Sequence, residues 1–156
     1  MKNLAIAAVF LVALGGCQGG PADDIISIPG KGAISVQIVP NPIVATPAAN
    51  GTYSFPFEVV VRETGGRPVD IHNVDANVLL GGSLSLGRES WDAQDIRSLG
   101  YSTKLPAHGE LRYRFSPTKE VPDERLFTSV SADLTVEAVD DTGSPTRATT
   151  NVTITR

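Results

Sequence analysis

Residues 52–62, TYSFPFEVVVR, constrain the fold more than any other stretch of this chain. Tyr53, Phe55, Phe57, Val59 and Val61 share one side of a two-residue period, and Thr52, Ser54, Glu58 and Arg62 share the other. Successive side chains of an extended chain point to opposite faces, so the pattern describes a strand with one face in a core and one in water. A face carrying three aromatic rings needs a second apolar layer, which requires two packed sheets with this strand near the centre. Pro56 has no amide proton to give to a ladder, so a bulge or a locally unpaired edge is expected there.

The same alternation recurs along the chain. Ile34, Val36 and Ile38 form a first strand that stops at Pro40-Asn41-Pro42. Residues 43–50, rich in Pro and Ala and followed by Gly51, read as a connection. Glu63-Thr64-Gly65-Gly66-Arg67-Pro68 is a turn. Val69 and Ile71 open a third strand, but Val74, Ala76, Val78 and Leu80 continue it on the opposite parity; a bulge near His72-Asn73 reconciles the halves. Residues 83–100 are the least regular. Leu84 and Leu86 suit a short strand, and Ser90 with Asp92, Asp95, Ile96 and Leu99 marks an N-capped short helix near residues 91–98 that carries Trp91. Leu111, Tyr113 and Phe115 alternate with outward Arg112 and Arg114, and residues 116–125 form a polar crossing loop. Val130, Ala132, Leu134, Val136 and Ala138 make a long strand. The turn Asp140-Asp141-Thr142-Gly143 joins it to a last strand with Ala148, Thr150, Val152 and Ile154 inward. The expected fold is an all-β, two-sheet antiparallel sandwich of about seven strands with one short helix.

The N-terminus carries a different kind of signal. Met1-Lys2-Asn3 is a short basic start, followed by eleven apolar residues to Leu14. At 1.5 Å per residue such a run reaches about 16 Å, half of a ~30 Å hydrocarbon core, so it fits a signal segment and not a membrane-spanning helix. Cys17 is the only cysteine, which excludes an intramolecular disulfide framework. Residues 18–32, with four Gly, two Pro and two Asp, read as a flexible tether, broken by the patch Ile25-Ile26-Ser27-Ile28. Net charge is −4, which argues against nucleic acid as a partner, because phosphate binding needs a positive surface.

Leu14-Gly15-Gly16-Cys17 resembles the lipobox of bacterial lipoproteins, with Leu three places before a cysteine and small residues between. The resemblance implies cleavage before Cys17, acylation of its thiol, and attachment to a membrane without spanning it. Two or three acyl chains anchor far more stably than one. Gln18, where inner-membrane retention usually shows Asp, implies an outer-membrane destination. Residues 1–16 are then a signal peptide, 17–32 the lipidated cysteine and tether, and 33–156 the domain. Within that domain, Val60-Val61-Arg62-Glu63-Thr64-Gly65-Gly66, Lys104-Leu105-Pro106-Ala107-His108-Gly109 and residues 136–152 resemble immunoglobulin-like and fibronectin-type sandwiches of bacterial envelope proteins. That resemblance implies fold and says almost nothing of activity.

Few residues offer chemistry. His72 and His108, the only imidazoles, show no metal-ligand spacing, and no Gly-x-Ser-x-Gly elbow is present. Asp140 and Asp141 carry oxygens of the kind that hold Ca²⁺, and are equally the residues that a tight turn uses. Trp91 and Tyr101 could form an aromatic platform for a sugar or peptide, although a lone Trp also serves to plug one end of a core. The expectation is a non-enzymatic, membrane-anchored envelope module that interacts with a protein partner and needs no cofactor. The alternatives are a carbohydrate- or peptide-binding module using Trp91 and Tyr101, and an enzyme.

Overall fold

The computed structural model describes residues 30–156; the signal segment, Cys17 and the Ile25–Ile28 patch lie outside the described residues. Within them the chain forms β1 (Ile34–Val39), β2 (Ile43–Val44), β3 (Thr46–Pro47), β4 (Thr52–Ser54), β5 (Phe57–Glu63), β6 (Val69–Leu80) and β7 (Leu84–Asp92). A single α-helix, α1 (Ala93–Ser98), follows, and then β8 (Lys104–Leu105), β9 (Glu110–Phe115), β10 (Thr118–Glu120), β11 (Val130–Asp140) and β12 (Pro145–Thr155). These strands build an all-β sandwich. One sheet has the order β1-β5-β9, and the facing sheet has the order β2-β12-β11-β6-β7 with β8 also on β6. A small sheet, β10-β4-β3, prolongs the first, because β4 leads into β5 and β10 follows β9.

The 52–62 pattern holds with the break expected at Pro56. The strand is divided into β4 and β5 at Phe55 and Pro56, and across the gap the Phe55 N–H donates to the Pro117 carbonyl at 3.0 Å. Phe57, Val59 and Val61 join one core cluster with Ile71, Val74, Tyr113, Phe115, Leu134 and Val136. Burying each such side chain contributes roughly 1.5–3 kcal/mol. Among the described residues these side chains form one continuous core between the two sheets. Val60 is also buried but on the opposite face, outside that cluster. It stands between Gln37 and Arg112 in the sheet, whose long side chains shield it. On this outer face Arg62 and Arg112 both reach Glu110, and Arg112 and Arg114 both reach Glu58, at 2.6–2.9 Å.

The bulge in β6 falls where the parity change requires it. On β11, Glu137 is opposite Asn73 and Ala138 is opposite Ile71, so His72 is the extra residue and Ile71 and Val74 both face the core. A second bulge lies in β7. Val78 is opposite Gly87 and Leu79 opposite Ser85, which leaves Leu86 unmatched.

Four segments depart from the sequence reading. Residues 43–50 are not a simple connection: after the kink at Pro40-Asn41-Pro42 the chain changes sheets, and β2 runs parallel to β12, Ile43 opposite Ile154. Prolines that cannot donate end β1's pairing and let Ile43 bury its side chain on the other sheet. Residues 84–92 form a nine-residue strand, not an irregular segment. The helix starts at Ala93, so Trp91 lies on β7 opposite Val74 and not on the helix. Asp92, not Ser90, is its cap: the Asp92 carboxylate accepts from Gln94 and Asp95 N–H, and Asp95 accepts from Asp92 N–H. Ser90 is instead committed to Asn73 across the ladder. Finally, residues 116–125 contain β10, paired with β4.

Candidate functional site

The two ends of the sandwich are built differently. At one pole, the segment leading in to β1, the 63–68 turn, the 106–109 turn and the β11–β12 hairpin converge on two acidic side chains. Glu63 is 3% exposed. Its Oε1 accepts from Ala33 and Gly65 N–H at 3.2 and 2.7 Å, and its Oε2 accepts from Gly66 and His108 N–H, both at 2.9 Å. Burial pushes its carboxyl pKa up, and the four backbone donors outweigh that, so the group stays below its ordinary 4.5. Asp140 accepts from the Thr142 hydroxyl at 2.6 Å and from the N–H groups of Gly32, Thr142 and Ser144 at 2.9–3.0 Å. The Thr142 hydroxyl leads the backbone donors in holding its pKa well below the usual carboxylate range. Gly30 and Gly32, at the end of the tether read from the sequence, are thus tied to the domain, Gly30 through its carbonyl to Arg67.

This pole also collects several of the polar candidates. Asp70, His72, Lys104, Asp140 and Asp141 border one open recess. Asp70 pairs with Lys104, Asp141 pairs with Arg67 at 2.7 Å, and both Asp140 oxygens face N–H or O–H donors. Donors pointing at a carboxylate leave the space around it unfavourable for a cation. Among the described residues no group of three or more His, Cys, Asp or Glu is arranged to hold a metal ion. His108 lies in the 106–109 turn with its imbidazole against Gly66.

The opposite pole is open. β5 runs from Phe57 there to Glu63 at the closed pole, and β11 from Val130 to Asp140, so at about 3.3 Å per residue the poles are some 20–30 Å apart. A cleft of about 390 Å³ penetrates between the sheets, walled by Phe55, Phe57, Val78, Leu86, Leu126 and Phe127. It exists because the β6–β7 hairpin extends past the cover of the first sheet. Side chains of β7 that face Asn73, Asp75 and Asn77 are Ser90, Arg88 and Ser85, all hydrogen-bonded on the outer face. Leu84 and Leu86 consequently turn to the core side, yet remain 60% and 47% exposed. β7 pairs with β6 alone, so its other edge carries no ladder.

Trp91 sits on the same edge. Its indole stacks on Phe115 with ring centres 4.1 Å apart and meets Phe57 edge-on at 6.2 Å. It is half-buried, bordering a shallow groove with Leu99, Glu89, Arg114 and Lys119; Glu89 and Lys119 form an ion pair across it. Tyr101 does not join it. Tyr101 packs on Tyr113 at 5.6 Å, Tyr113 on Phe115 at 6.3 Å, and Phe115 on Trp91, so two rings separate the pair proposed as a platform. The Arg114 N–H donates to the Tyr101 hydroxyl at 3.2 Å. Sequence reasoning missed β7 as an edge and Glu63 as a buried clamp. Leu84 and Leu86 carried a signal for the first, whereas nothing local marks the second.

No protein-family model matches this chain and no curated protein is similar to it in sequence. Among solved structures it is similar to a structural-genomics target known as SoR45, at 9% identity and a TM-score of 0.51, covering 81% of this chain and 89% of that one. It is also similar to a Bordetella pertussis protein given the provisional name ApaA, at 16% identity and a TM-score of 0.50, covering 82% and 97%. At such identities the likeness shows a shared all-β fold and nothing of function.

Proposed function

We propose that the chain is a lipid-anchored protein of the bacterial envelope whose domain is a non-enzymatic interaction or structural module, attached through Cys17 to the outer membrane. The observation that carries the anchor is Leu14-Gly15-Gly16-Cys17 after an apolar run too short to cross a bilayer. Among the described residues no helix is long and apolar enough to cross a membrane. The polarity of the sandwich supports the interaction role: the chain enters at the pole clamped by Glu63 and Asp140, and apolar surface opens at the pole away from that attachment. Two carboxylates held in their charged form, Glu63 and Asp140, serve loop closure, which supports a binding role over acid–base chemistry.

The finer fold reading is immunoglobulin-like of fibronectin type. It is supported by seven strands of six or more residues, by the orders β1-β5-β9 and β12-β11-β6-β7, and by a first strand that divides between the sheets. The anchor is tested by fractionating cells and weighing the N-terminal peptide. Acylated Cys17 in the membrane fraction, lost to the soluble fraction in Cys17→Ser, is the expected result. An unmodified thiol on freely secreted protein refutes it. A hydrolytic or transfer activity retained by purified residues 30–156 refutes the non-enzymatic reading.

One observation favours a second reading, a carbohydrate- or peptide-binding module: the half-exposed Trp91 indole borders a groove with a cationic side chain, Arg114, at its rim. Trp91 is the only tryptophan, so titration with oligosaccharides or peptides reads directly in its fluorescence. No change at millimolar ligand removes this reading.

A further inference from the structure

We propose that the cleft between the sheets binds one unbranched hydrocarbon chain, that of a free fatty acid or fatty alcohol, whose polar end stays in the mouth beside Lys119 and Glu89. This names a ligand class for the non-enzymatic module proposed above and rests on that reading, though not on the lipid anchor.

Protein interiors close-pack and hold few voids larger than a water molecule, so a hollow of about 390 Å³ is more than slack in the core. Its wall on the larger sheet is formed in spatial order by Leu86 of β7, Val78 of β6, Leu134 of β11, Ile154 of β12 and Ile43 of β2. Five neighbouring strands make four spacings of about 4.8 Å, a path of about 19 Å. An extended hydrocarbon advances roughly 1.25 Å per carbon, from ordinary bond lengths and angles, so that path takes about 15 carbons. Volume leads to the same figure by a separate route. A protein cavity of about 150 Å³ holds one benzene, about 25 Å³ per carbon, so 390 Å³ also takes about 15 carbons. A fused-ring ligand of that volume is shorter and wider; a single chain satisfies both measures.

The lining selects the same class. Leu134, Ile154 and Ile43 on the floor are buried, and Phe55, Phe57, Leu126 and Phe127 close the other side. The strands behind the floor spend their backbone groups on one another, so a peptide inside would leave its amides unpaired and a sugar its hydroxyls. Charged side chains border the cleft only where it meets solvent: Arg88, Lys119, Glu89 and Glu120, whose charges sum to zero. Lys119 of β10 pairs with Glu89 of β7 across the gap between the sheets, and Arg88 is held by the buried Asp75 at 3.0 Å. The way in passes Leu86, 47% exposed on the free edge of β7. A site that is apolar within and polar at one end matches a molecule built the same way, and its balanced charges leave the tail as the part that is recognised.

The test uses the full chain as Cys17→Ser, which has no thiol to acylate and so no tail of its own to compete. Equilibrium dialysis against fatty acids of about 6 to 18 carbons, each below its micelle concentration, is expected to show one molecule bound per chain. Affinity should rise about three- to four-fold per methylene up to about 15 carbons and level off beyond. The matching alcohols should bind within about three-fold of the acids, because the charges of the mouth cancel. Dihexanoylphosphatidylcholine, with two tails, should bind no better than hexanoate. In Ala132→Phe the ring fills about 150 Å³ of the floor, so the rise should stop at about 10 carbons while shorter acids bind as before. Should circular dichroism show that variant unfolded, Leu86→Glu at the mouth serves instead and should weaken binding about five-fold or more at every chain length. No saturable binding of decanoate by about 1 mM overturns the proposal. So does affinity independent of chain length, about ten-fold tighter binding of the two-tailed lipid, or binding unchanged in the folded variants. Those results leave the non-enzymatic module standing, whereas recovery of a chemically altered ligand overturns both.

Discussion

Replacing Glu63 with glutamine keeps the shape of the side chain and removes its charge, and the consequence can be worked from four hydrogen bonds. The carboxylate is acceptor-only and takes two N–H groups on each oxygen: Ala33 and Gly65 on one, Gly66 and His108 on the other. A glutamine amide satisfies one pair with its oxygen and turns its NH₂ towards the other pair, donor against donor. Two buried N–H groups are left without acceptors, at about 1–3 kcal/mol each, so the variant is expected to lose roughly 2–5 kcal/mol. For a domain of this size that lowers the melting temperature by roughly 10–20 °C. Urea melts followed by Trp91 fluorescence measure it. The sign with pH is specific. The folded pKa is depressed, so the stabilisation is complete above the ordinary value of 4.5 and is lost as pH falls through the lower folded value. The gap between wild type and Glu63→Gln should therefore shrink towards about pH 2. A variant within about 0.5 kcal/mol of wild type at neutral pH, or a gap unchanged by acid, refutes the account of Glu63 as a charged clamp.

Asp140→Asn should act in the same direction, lowering the urea midpoint at neutral pH and flattening the acid limb below 3.8, because the Thr142 hydroxyl and three N–H donors all point at its carboxylate. Gly65→Ala should cost about 1–3 kcal/mol or more, since a Cβ there would lie 2.1 Å from the Lys31 carbonyl oxygen and 2.7 Å from the Ala33 nitrogen; both are backbone atoms of the clamped segment. Paired thermal melts of Gly65→Ala and wild type read that difference. Trp91→Ala should cost about 2–4 kcal/mol through lost contact with Phe115 and Phe57, and Trp91→Phe less than half as much, measured by chemical denaturation with circular dichroism. A neutral Trp91→Ala would mean that the indole is held for a ligand and not for the core.

The faces of the strands were legible because a two-residue period records, one side chain at a time, which side meets water. Tyr53 to Val61, the inward set of β11, and the bulge at His72 all follow from that local record, as does the break at Pro56, since a missing amide proton is a property of one residue. The same record fails in LSLGRESWD, residues 84–92, where the bulge at Leu86 shifts the period in mid-strand and Gly87 interrupts it. An edge strand also has fewer neighbours to enforce a pattern. The local pattern for that reason places Trp91 on the helix and makes Ser90 its cap, whereas Asn73, seventeen residues earlier, holds the Ser90 hydroxyl.

The roles of single polar residues were decided at longer range. Glu63 reads as an ordinary turn acid until Ala33 and His108, thirty and forty-five residues away, bring their N–H groups to it. Asp140 completes its set with Gly32, at a separation of 108 residues. Trp91 and Tyr101, ten positions apart, looked like one platform and are kept apart by Phe115 and Tyr113 from a different strand. Local chemistry thus dictated which segments extend, where they break and which face each residue presents. Which loops meet at one pole, which leucines stay uncovered at the other, and what a buried carboxylate is for depended on distant backbone groups, because a hydrogen bond or a packed ring constrains positions that no short window of sequence contains.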